Sequence, residues 1–218
     1  MNMVKNNKFN RFLAKTFYLF FGLNRVRRKG KGNKITFGIS KISKTKISFF
    51  GNNNTILIKD FSLLKRVRIS IHGNNNTLII GHNSSIVGSN ICFEDNNNVF
   101  ELGDYSSVSN YCDFSIIEST KLLIGNECML SSYITIRTGD SHSVISNSIR
   151  INHSKDICIG NKTWIGTKVL ILKGVTVCDY SIIGAGSVVT RKFDKSNVVI
   201  AGNPASIVKE NVSWEKER

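Results

Sequence analysis

Aliphatic residues recur at every sixth position in the C-terminal part of the chain. The repeating positions are Ile159, Ile165, Ile171, Val177, Ile183 and Val189. A second residue, mostly small or β-branched, follows four positions after each of them. This spacing matches neither a helix face nor a long alternating strand. It is typical of a parallel β-helix, in which short strands and tight corners alternate, three to a coil. We therefore predict an all-β solenoid.

A longer repeat precedes the hexapeptide segment. Gly51-Asn52-Asn53-Asn54-Thr55 recurs as Gly73-Asn74-Asn75-Asn76-Thr77 and then as Asp95-Asn96-Asn97-Asn98-Val99, each copy starting 22 residues after the last. We interpret 22 residues as three hexapeptides plus four extra residues that form a wider, Asn-rich corner. Asn tolerates left-handed backbone conformations and hydrogen-bonds local backbone. Stacked Asn side chains can also form ladders along the coils.

The pattern divides the chain into five segments. Between Ile124 and Ile159 the spacing is 35 residues, 13 more than the 22-residue period. A regular solenoid has few concave surfaces, so we expect the functional site at this insertion. The predicted segments are a basic amphipathic helical cap at 1–28, wide Asn-rich coils at 29–138, an active-site loop at 139–156, regular hexapeptide coils at 157–200 and a C-terminal cap at 201–218.

The N-terminal segment is apolar at helical spacing and strongly basic. Residues 1–50 contain 13 Lys or Arg and no acidic residue. A basic helix with aromatic residues can lie on an anionic membrane surface. It can equally cover the open first coil, where a solenoid needs a cap; we favour the cap, and the two roles are compatible. The apolar run at 17–23 is too short to span a bilayer. We expect a cytoplasmic protein, with peripheral binding to the inner membrane face as an option.

The overall composition argues against nucleic-acid and metal chemistry. The net charge is +15, but residues 51–218 hold 17 basic and 15 acidic residues, a balance of only +2. Without a basic solenoid or a recognised motif we expect no nucleic-acid partner. The five cysteines are dispersed, which favours reduced cytosolic thiols over a disulfide framework. They lack ligand-like spacing, so we expect no metal site.

Two of the four histidines, His142 and His153, lie in the insertion. An imidazole can take a proton from a substrate hydroxyl near neutral pH. His142 is flanked by Asp140 and two serines, which makes it the candidate general base. For His153 we favour a solvated surface role.

Several motifs of the C-terminal half resemble the hexapeptide-repeat acyltransferases. They are Trp164-Ile165-Gly166, Ile171-Leu172-Lys173-Gly174-Val175, Ile182-Ile183-Gly184-Ala185-Gly186-Ser187-Val188-Val189 and Ala201-Gly202-Asn203-Pro204-Ala205. Arg137-Thr138-Gly139-Asp140-Ser141-His142-Ser143 is similar to the catalytic-histidine segment of the bacterial surface-polysaccharide O-acetyltransferases. Residues 150–156 and 207–214 look especially like the capsular sialic acid O-acetyltransferases. The resemblance covers about residues 120–214.

This resemblance implies a left-handed parallel β-helix that acts as a homotrimer with acetyl-CoA on a carbohydrate acceptor. It implies that His142 is the general base and that Trp164 lines the active site between subunits. The residues that it implies for acetyl-CoA are Gly166, Thr167, Ala185, Arg191 and Lys209. We expect an acidic sugar, and we take Asp140, Arg150 and Lys155 as candidate acceptor-binding residues.

The expected function is acetyl-CoA-dependent O-acetylation of a bacterial surface glycan, capsular or lipopolysaccharide, with sialic acid as a candidate component. Two alternatives share the fold. A sugar-nucleotide N-acetyltransferase would use the same base on an amino group. A non-catalytic binding solenoid is also compatible with the repeats, but His142 and the Trp164 motif favour an enzyme.

Overall fold

The computed structural model describes residues 23–217, which form a parallel β-solenoid. Within this range the chain contains 26 strands and no helix. Three sheets of 8, 7 and 9 strands run along the solenoid, parallel except for the last strand of the third sheet, and each complete coil contributes one strand to each sheet. The prediction of an all-β parallel β-helix is confirmed.

The strands are named in chain order. The first sheet contains β1 (Arg25–Arg28), β4 (Lys46–Phe49), β7 (Arg68–Ile71), β10 (Asn90–Phe93), β13 (Asp113–Ile116), β16 (Thr135–Arg137), β21 (Leu170–Ile171) and β24 (Val188–Val189). The second sheet contains β2 (Lys34–Phe37), β5 (Thr55–Ile58), β8 (Thr77–Ile80), β11 (Val99–Leu102), β14 (Lys121–Ile124), β19 (Ile157–Ile159) and β22 (Thr176–Val177). The third sheet contains β3 (Lys41–Ser43), β6 (Leu63–Lys65), β9 (Ser85–Val87), β12 (Ser107–Val108), β15 (Met129–Leu130), β20 (Trp164–Ile165), β23 (Ile182–Ile183), β25 (Val198–Gly202) and β26 (Ala205–Glu210). A separate two-stranded sheet pairs β17 (Ile145–Ser146) with β18 (Ile149–Arg150).

The coil length follows the sequence repeats. Thr77 pairs with Val99, 22 residues later, in the N-terminal coils. Cys158 pairs with Thr176, 18 residues later, in the hexapeptide coils. Because the strands stay in register, the same repeat position falls on the same face of every coil.

The repeated aliphatic residues fill the interior of the solenoid. All six hexapeptide positions from Ile159 to Val189 are buried, as are Ile58, Ile80, Leu102 and Ile124 of the longer repeat. Four phenylalanines, Phe49, Phe93, Phe100 and Phe114, are the largest fully buried side chains. Burial of this apolar surface is the main favourable contribution to folding.

The Asn-rich corners form hydrogen-bonded ladders between coils. The Asn76 amide donates to Asn54 Oδ1 at 3.1 Å, and the Asn98 backbone N–H donates to Asn76 Oδ1 at 2.8 Å. Asn53, Asn75 and Asn97 have φ of 56°, 58° and 59°. The left-handed conformation and the Asn ladders expected at these corners are both present.

The N-terminal boundary differs from the prediction. Arg25–Arg28 was included in the helical segment 1–28, but it forms strand β1 and pairs in parallel with β4. Val26 faces the core between the exposed Arg25 and Arg27, so the local alternation is that of a strand. The rest of the predicted helix, at 1–22, lies outside the described residues. Residues 23–217 therefore contain no helical segment that could span a membrane.

The parallel ladder ends in an antiparallel hairpin at the C-terminus. Strand β25 pairs in parallel with β23 and antiparallel with β26, which covers the edge of the third sheet. The following tail returns along the solenoid, where the buried Trp214 donates its indole N–H to the Lys162 carbonyl at 2.9 Å. The tail therefore fastens the last coils to earlier ones.

Candidate active site

The inserted loop leaves the solenoid after β16 and returns at β19. The Lys155 N–H donates to the Thr138 carbonyl at 2.9 Å, which closes the neck of the loop. The hydroxyl of the buried Thr138 accepts from the Ile117 N–H at 3.1 Å. At Gly139 an added Cβ would lie 2.1 Å from Ser154 Oγ and 2.5 Å from Ile117 Cγ2. A larger residue at this position would have to displace the Ser154 or Ile117 side chain, so glycine suits the exit of the loop.

Asp140 lies in a compact network at the start of the loop. Lys173, on the corner after β21, donates its Nζ to Asp140 Oδ2 and to the Asn152 carbonyl, the latter at 2.8 Å. The Asn152 side-chain amide donates to Asp140 Oδ2 at 2.8 Å. The Lys173 ammonium hydrogen bond is the main cause that holds the pKa of the Asp140 carboxyl below its usual value. Asp140 is therefore an anion within an internal ion pair.

His142 is exposed, but its backbone is held. The Asn152 amide donates to the His142 carbonyl at 2.7 Å, and Asn152 Oδ1 accepts from the Val144 N–H at 2.7 Å. The exposed position leaves the His142 imidazole accessible to a substrate. The hairpin that follows carries four exposed aliphatic residues: Val144, Ile145, Ile149 and Ile151.

The returning arm of the loop is bound to the solenoid by Arg150. Its Nη1 lies 2.5 Å from Glu118 Oε1. The Arg150 hydrogen bond is the largest cause that lowers the pKa of the Glu118 carboxyl to about 2. The same contact raises the pKa of Arg150. Arg150 thus already holds a carboxylate of its own chain.

A second polar network binds the start of the loop to the solenoid. Arg137 Nη2 donates to Ser141 Oγ at 2.8 Å and lies 3.4 Å from Glu94 Oε1. The Ser141 hydroxyl donates to Glu94 Oε2 at 3.1 Å, and the hydroxyl of Ser115 also donates to Glu94. The residue before His142 is therefore tied to strands β13 and β16.

Trp164 lies on the outer face of the third sheet and is 36% exposed. Its indole N–H donates to Ser131 Oγ at 3.4 Å. Its ring centroid lies 6.2 Å from that of Trp214 in the C-terminal tail. Ser131 and Trp214 hold one side of the Trp164 indole, and the exposed side is available to a ligand.

The residues expected at acetyl-CoA lie on the C-terminal coils. Gly166 packs against the next coil, since an added Cβ would lie 2.7 Å from the Ala185 backbone nitrogen. Thr167, Ala185, Arg191 and Lys209 are exposed, and the Thr167 hydroxyl donates to the Ser132 carbonyl at 2.8 Å. The Arg191 guanidinium lies over the Phe193 ring, 5.4 Å from its centroid.

Lys155 is exposed at the end of the loop, and its aliphatic carbons pack near Gly174. The structure thus joins Asp140 and Arg150 to the loop network and leaves the roles expected for them in acceptor binding as predictions. Within residues 23–217 no three His, Cys, Asp or Glu side chains form a group that could hold a metal.

Sequence reasoning missed four residues of this region: Glu94, Glu118, Asn152 and Lys173. Lys173 and Asn152 lie within motifs that carried the family resemblance, and that resemblance could have pointed to them. Glu94 lies two coils before the loop and Glu118 lies one coil before it, and neither stands in a motif that pointed to the site.

The hexapeptide repeats and the parallel solenoid are those of the hexapeptide transferases. The family model described as "Bacterial transferase hexapeptide (six repeats)" matches residues 159–191. The polysialic acid O-acetyltransferase of Neisseria meningitidis is 39% identical over 107 residues, which cover 48% of this chain and 50% of that protein. The chain thus spans about half the length of this curated relative.

Two solved structures match over most of the chain. The polysialic acid O-acetyltransferase OatWY superposes with a TM-score of 0.85 at 34% identity, covering 89% of this chain and 92% of that one. The polySia-specific acetyltransferase NeuO superposes with a TM-score of 0.83 at 32% identity, covering 89% and 83%. The chain belongs to the family of hexapeptide-repeat O-acetyltransferases that contains these two proteins.

Proposed function

We propose that this chain is an acetyl-CoA-dependent O-acetyltransferase that modifies a hydroxyl of a bacterial surface glycan containing sialic acid. The observation that carries the proposal is the match to OatWY across nearly the whole of both chains. The exposed His142, on a loop with a fixed backbone, is the chemical feature that this activity requires.

His142 acts as the general base. Its imidazole takes the proton of the acceptor hydroxyl as the oxygen attacks the thioester carbonyl. The C–O bond forms and the C–S bond breaks, and the imidazolium returns the proton to the thiolate sulfur. Trp164 lines the same site and orients the acceptor. Positioning of the two substrates lowers the barrier without a covalent enzyme intermediate.

Acetyl-CoA supplies the activated acetyl group. The corner after β23 suits a narrow pantetheine arm, because a Cβ added at Gly186 would meet no atom within 4 Å. The neighbouring Ala185 and the Gly166–Thr167 corner are similarly small. Arg191 and Lys209 are exposed cations that can meet the CoA phosphates.

The acceptor is acidic, and the cations Arg150 and Lys155 contact it. We further propose that the active unit is a homotrimer, with His142 of one copy facing Trp164 of another. A monomer with full activity in sedimentation would contradict this arrangement. The enzyme works in the cytoplasm, and the basic charge of residues 1–50 favours the anionic inner membrane face.

The test is an acceptor panel with the purified protein and acetyl-CoA. We expect transfer to polysialic acid and little transfer to neutral polysaccharides or amino sugars. The product should release acetate under mild alkali, as an ester does and an amide does not. Transfer only to an amino sugar, in an alkali-stable product, would instead identify an N-acetyltransferase.

A further inference from the structure

We infer that Lys173, Asp140 and Asn152 form a clamp that positions the His142 imidazole for catalysis. The inference rests on the proposed function, because it assigns these residues a role in presenting the base. It also gives Asp140 a positioning role in place of the acceptor contact expected from the sequence.

Lys173 attaches the clamp to the solenoid. Lys173 follows β21, whose Ile171 is buried in the core, and its side chain is only 20% exposed. Its ammonium group donates to both arms of the loop: to the Asp140 carboxylate on the departing arm and to the Asn152 carbonyl on the returning arm. A single charged group therefore binds both arms of the loop to the solenoid.

Asn152 carries this restraint to His142. Its amide nitrogen donates to Asp140 Oδ2 and to the His142 carbonyl, at 2.8 and 2.7 Å. Its amide oxygen accepts from the Val144 N–H at 2.7 Å. The departing arm is thus held at alternate residues, through the Asp140 side chain and through the backbone of residues 142 and 144, with His142 at the centre.

This geometry fixes the main chain and leaves the imidazole accessible. Apart from Arg150 Nε, 3.4 Å from Asn152 Oδ1, the contacts of Asn152 all lead to the departing arm or to Lys173. Charge-assisted hydrogen bonds such as that of Lys173 are about twice as strong as neutral ones. A displacement of the base by about 1 Å can cost roughly 100-fold in rate, so loss of the clamp should be visible in turnover.

The role predicts a specific kinetic pattern. Lys173→Met removes the charge at nearly constant size, and Asn152→Asp removes the two amide donors at constant shape. Each should lower kcat by about 10- to 100-fold and leave the KM for acetyl-CoA and for oligosialic acid nearly unchanged. Lys173→Arg should recover most of kcat. Asp140→Asn combined with Lys173→Met should lose little more than either change alone, since both remove one interaction.

A hydrogen-exchange readout makes the test independent of activity. The Val144 N–H is bonded within the clamp, so its exchange should accelerate by about tenfold or more in Lys173→Met. Lys121→Met, which changes an exposed lysine on β14, is the matched control and should alter neither exchange nor kcat.

Two outcomes would overturn the clamp. One is unchanged Val144 exchange and kcat in Lys173→Met. The other is an Asp140→Asn variant that raises the acceptor KM at constant kcat, which would return Asp140 to acceptor binding. If the wild-type protein transfers no acetyl group to any acceptor, the proposed function fails, while accelerated Val144 exchange would still demonstrate the restraint on the loop.

Discussion

The indole rings of Trp164 and Trp214 lie 6.2 Å apart, centroid to centroid, and are tilted by 46°. Trp164 is on the third sheet, whereas Trp214 is in the tail that follows the last strand. Trp214 is only 7% exposed, and its N–H is bonded to the Lys162 carbonyl. The C-terminal tail is therefore the support against which the partly exposed Trp164 is packed.

Removal of this support should affect catalysis through Trp164. We expect Trp214→Ala to lower turnover by roughly 10- to 100-fold through displacement of Trp164. Trp214→Phe keeps an aromatic ring and should retain most activity. The chain has two tryptophans, so Trp164 is the sole tryptophan in both variants and its fluorescence reports its exposure. A red shift is expected in Trp214→Ala alone. Unchanged turnover and emission in that variant would contradict this support.

The Asn ladder should contribute measurably to stability. Asn76 is fully buried and accepts the Asn98 backbone N–H at 2.8 Å. Asn76→Ala leaves that donor without its partner, and we expect a loss of about 1–3 kcal/mol in the free energy of unfolding. Asn97→Gly is the control, because Asn97 is exposed, accepts only a long 3.4 Å hydrogen bond from the Asn75 amide, and has a φ of 59° that glycine accommodates. Equal effects of the two changes in denaturant unfolding would show that the ladder is not stabilising.

More of the fold than of the candidate site could be predicted from the sequence, and the reason is physical. Residues such as Ile159 and Asn76 repeat because every coil imposes the same environment, so periodicity alone identifies the core and the corners. The loop has no period. Its contacts to Glu118 and Lys173 depend on how coils stack beside it, and β1 was missed because the basic run obscured the alternation around Val26.

The pKa of Glu118 should depend on Arg150. The folded-state pKa of about 2 lies below the usual 4.5, so the ion pair stabilises the fold above about pH 4.5. That contribution is lost as the pH falls from about 4.5 to about 2. In Arg150→Met the pKa of the Glu118 carboxyl should rise toward 4.5, with the remaining lowering due to the Ser154 hydrogen bonds, as followed by carbon-13 NMR. Arg137→Met, which removes a partner of Glu94, should leave the Glu118 titration unchanged. A Glu118 titration near 4.5 in the wild-type protein would rule out the ion pair in solution.

The Arg150–Glu118 ion pair also leads to a prediction about the KM for the acceptor. If Arg150 binds an acceptor carboxylate, that carboxylate must compete with Glu118, because both need the same guanidinium. Glu118→Gln should then lower the KM for oligosialic acid by a few-fold, whereas Arg150→Met should raise it. The KM for acetyl-CoA should stay the same in both, and carboxyl-reduced acceptor should show neither change. If the two variants shift the acceptor KM in the same direction, Arg150 serves only to hold the loop.

The most direct test of the account compares wild-type protein with His142→Ala, using acetyl-CoA and oligosialic acid. Released CoA thiol and alkali-labile acetyl groups on the glycan are measured together, with thermal unfolding as the control for folding. We expect equal amounts of thiol and glycan ester from the wild type. We expect His142→Ala to be slower by about two to four orders of magnitude at the same unfolding temperature. Turnover of His142→Ala within about threefold of wild type, or wild-type thiol release without glycan ester, would contradict the account.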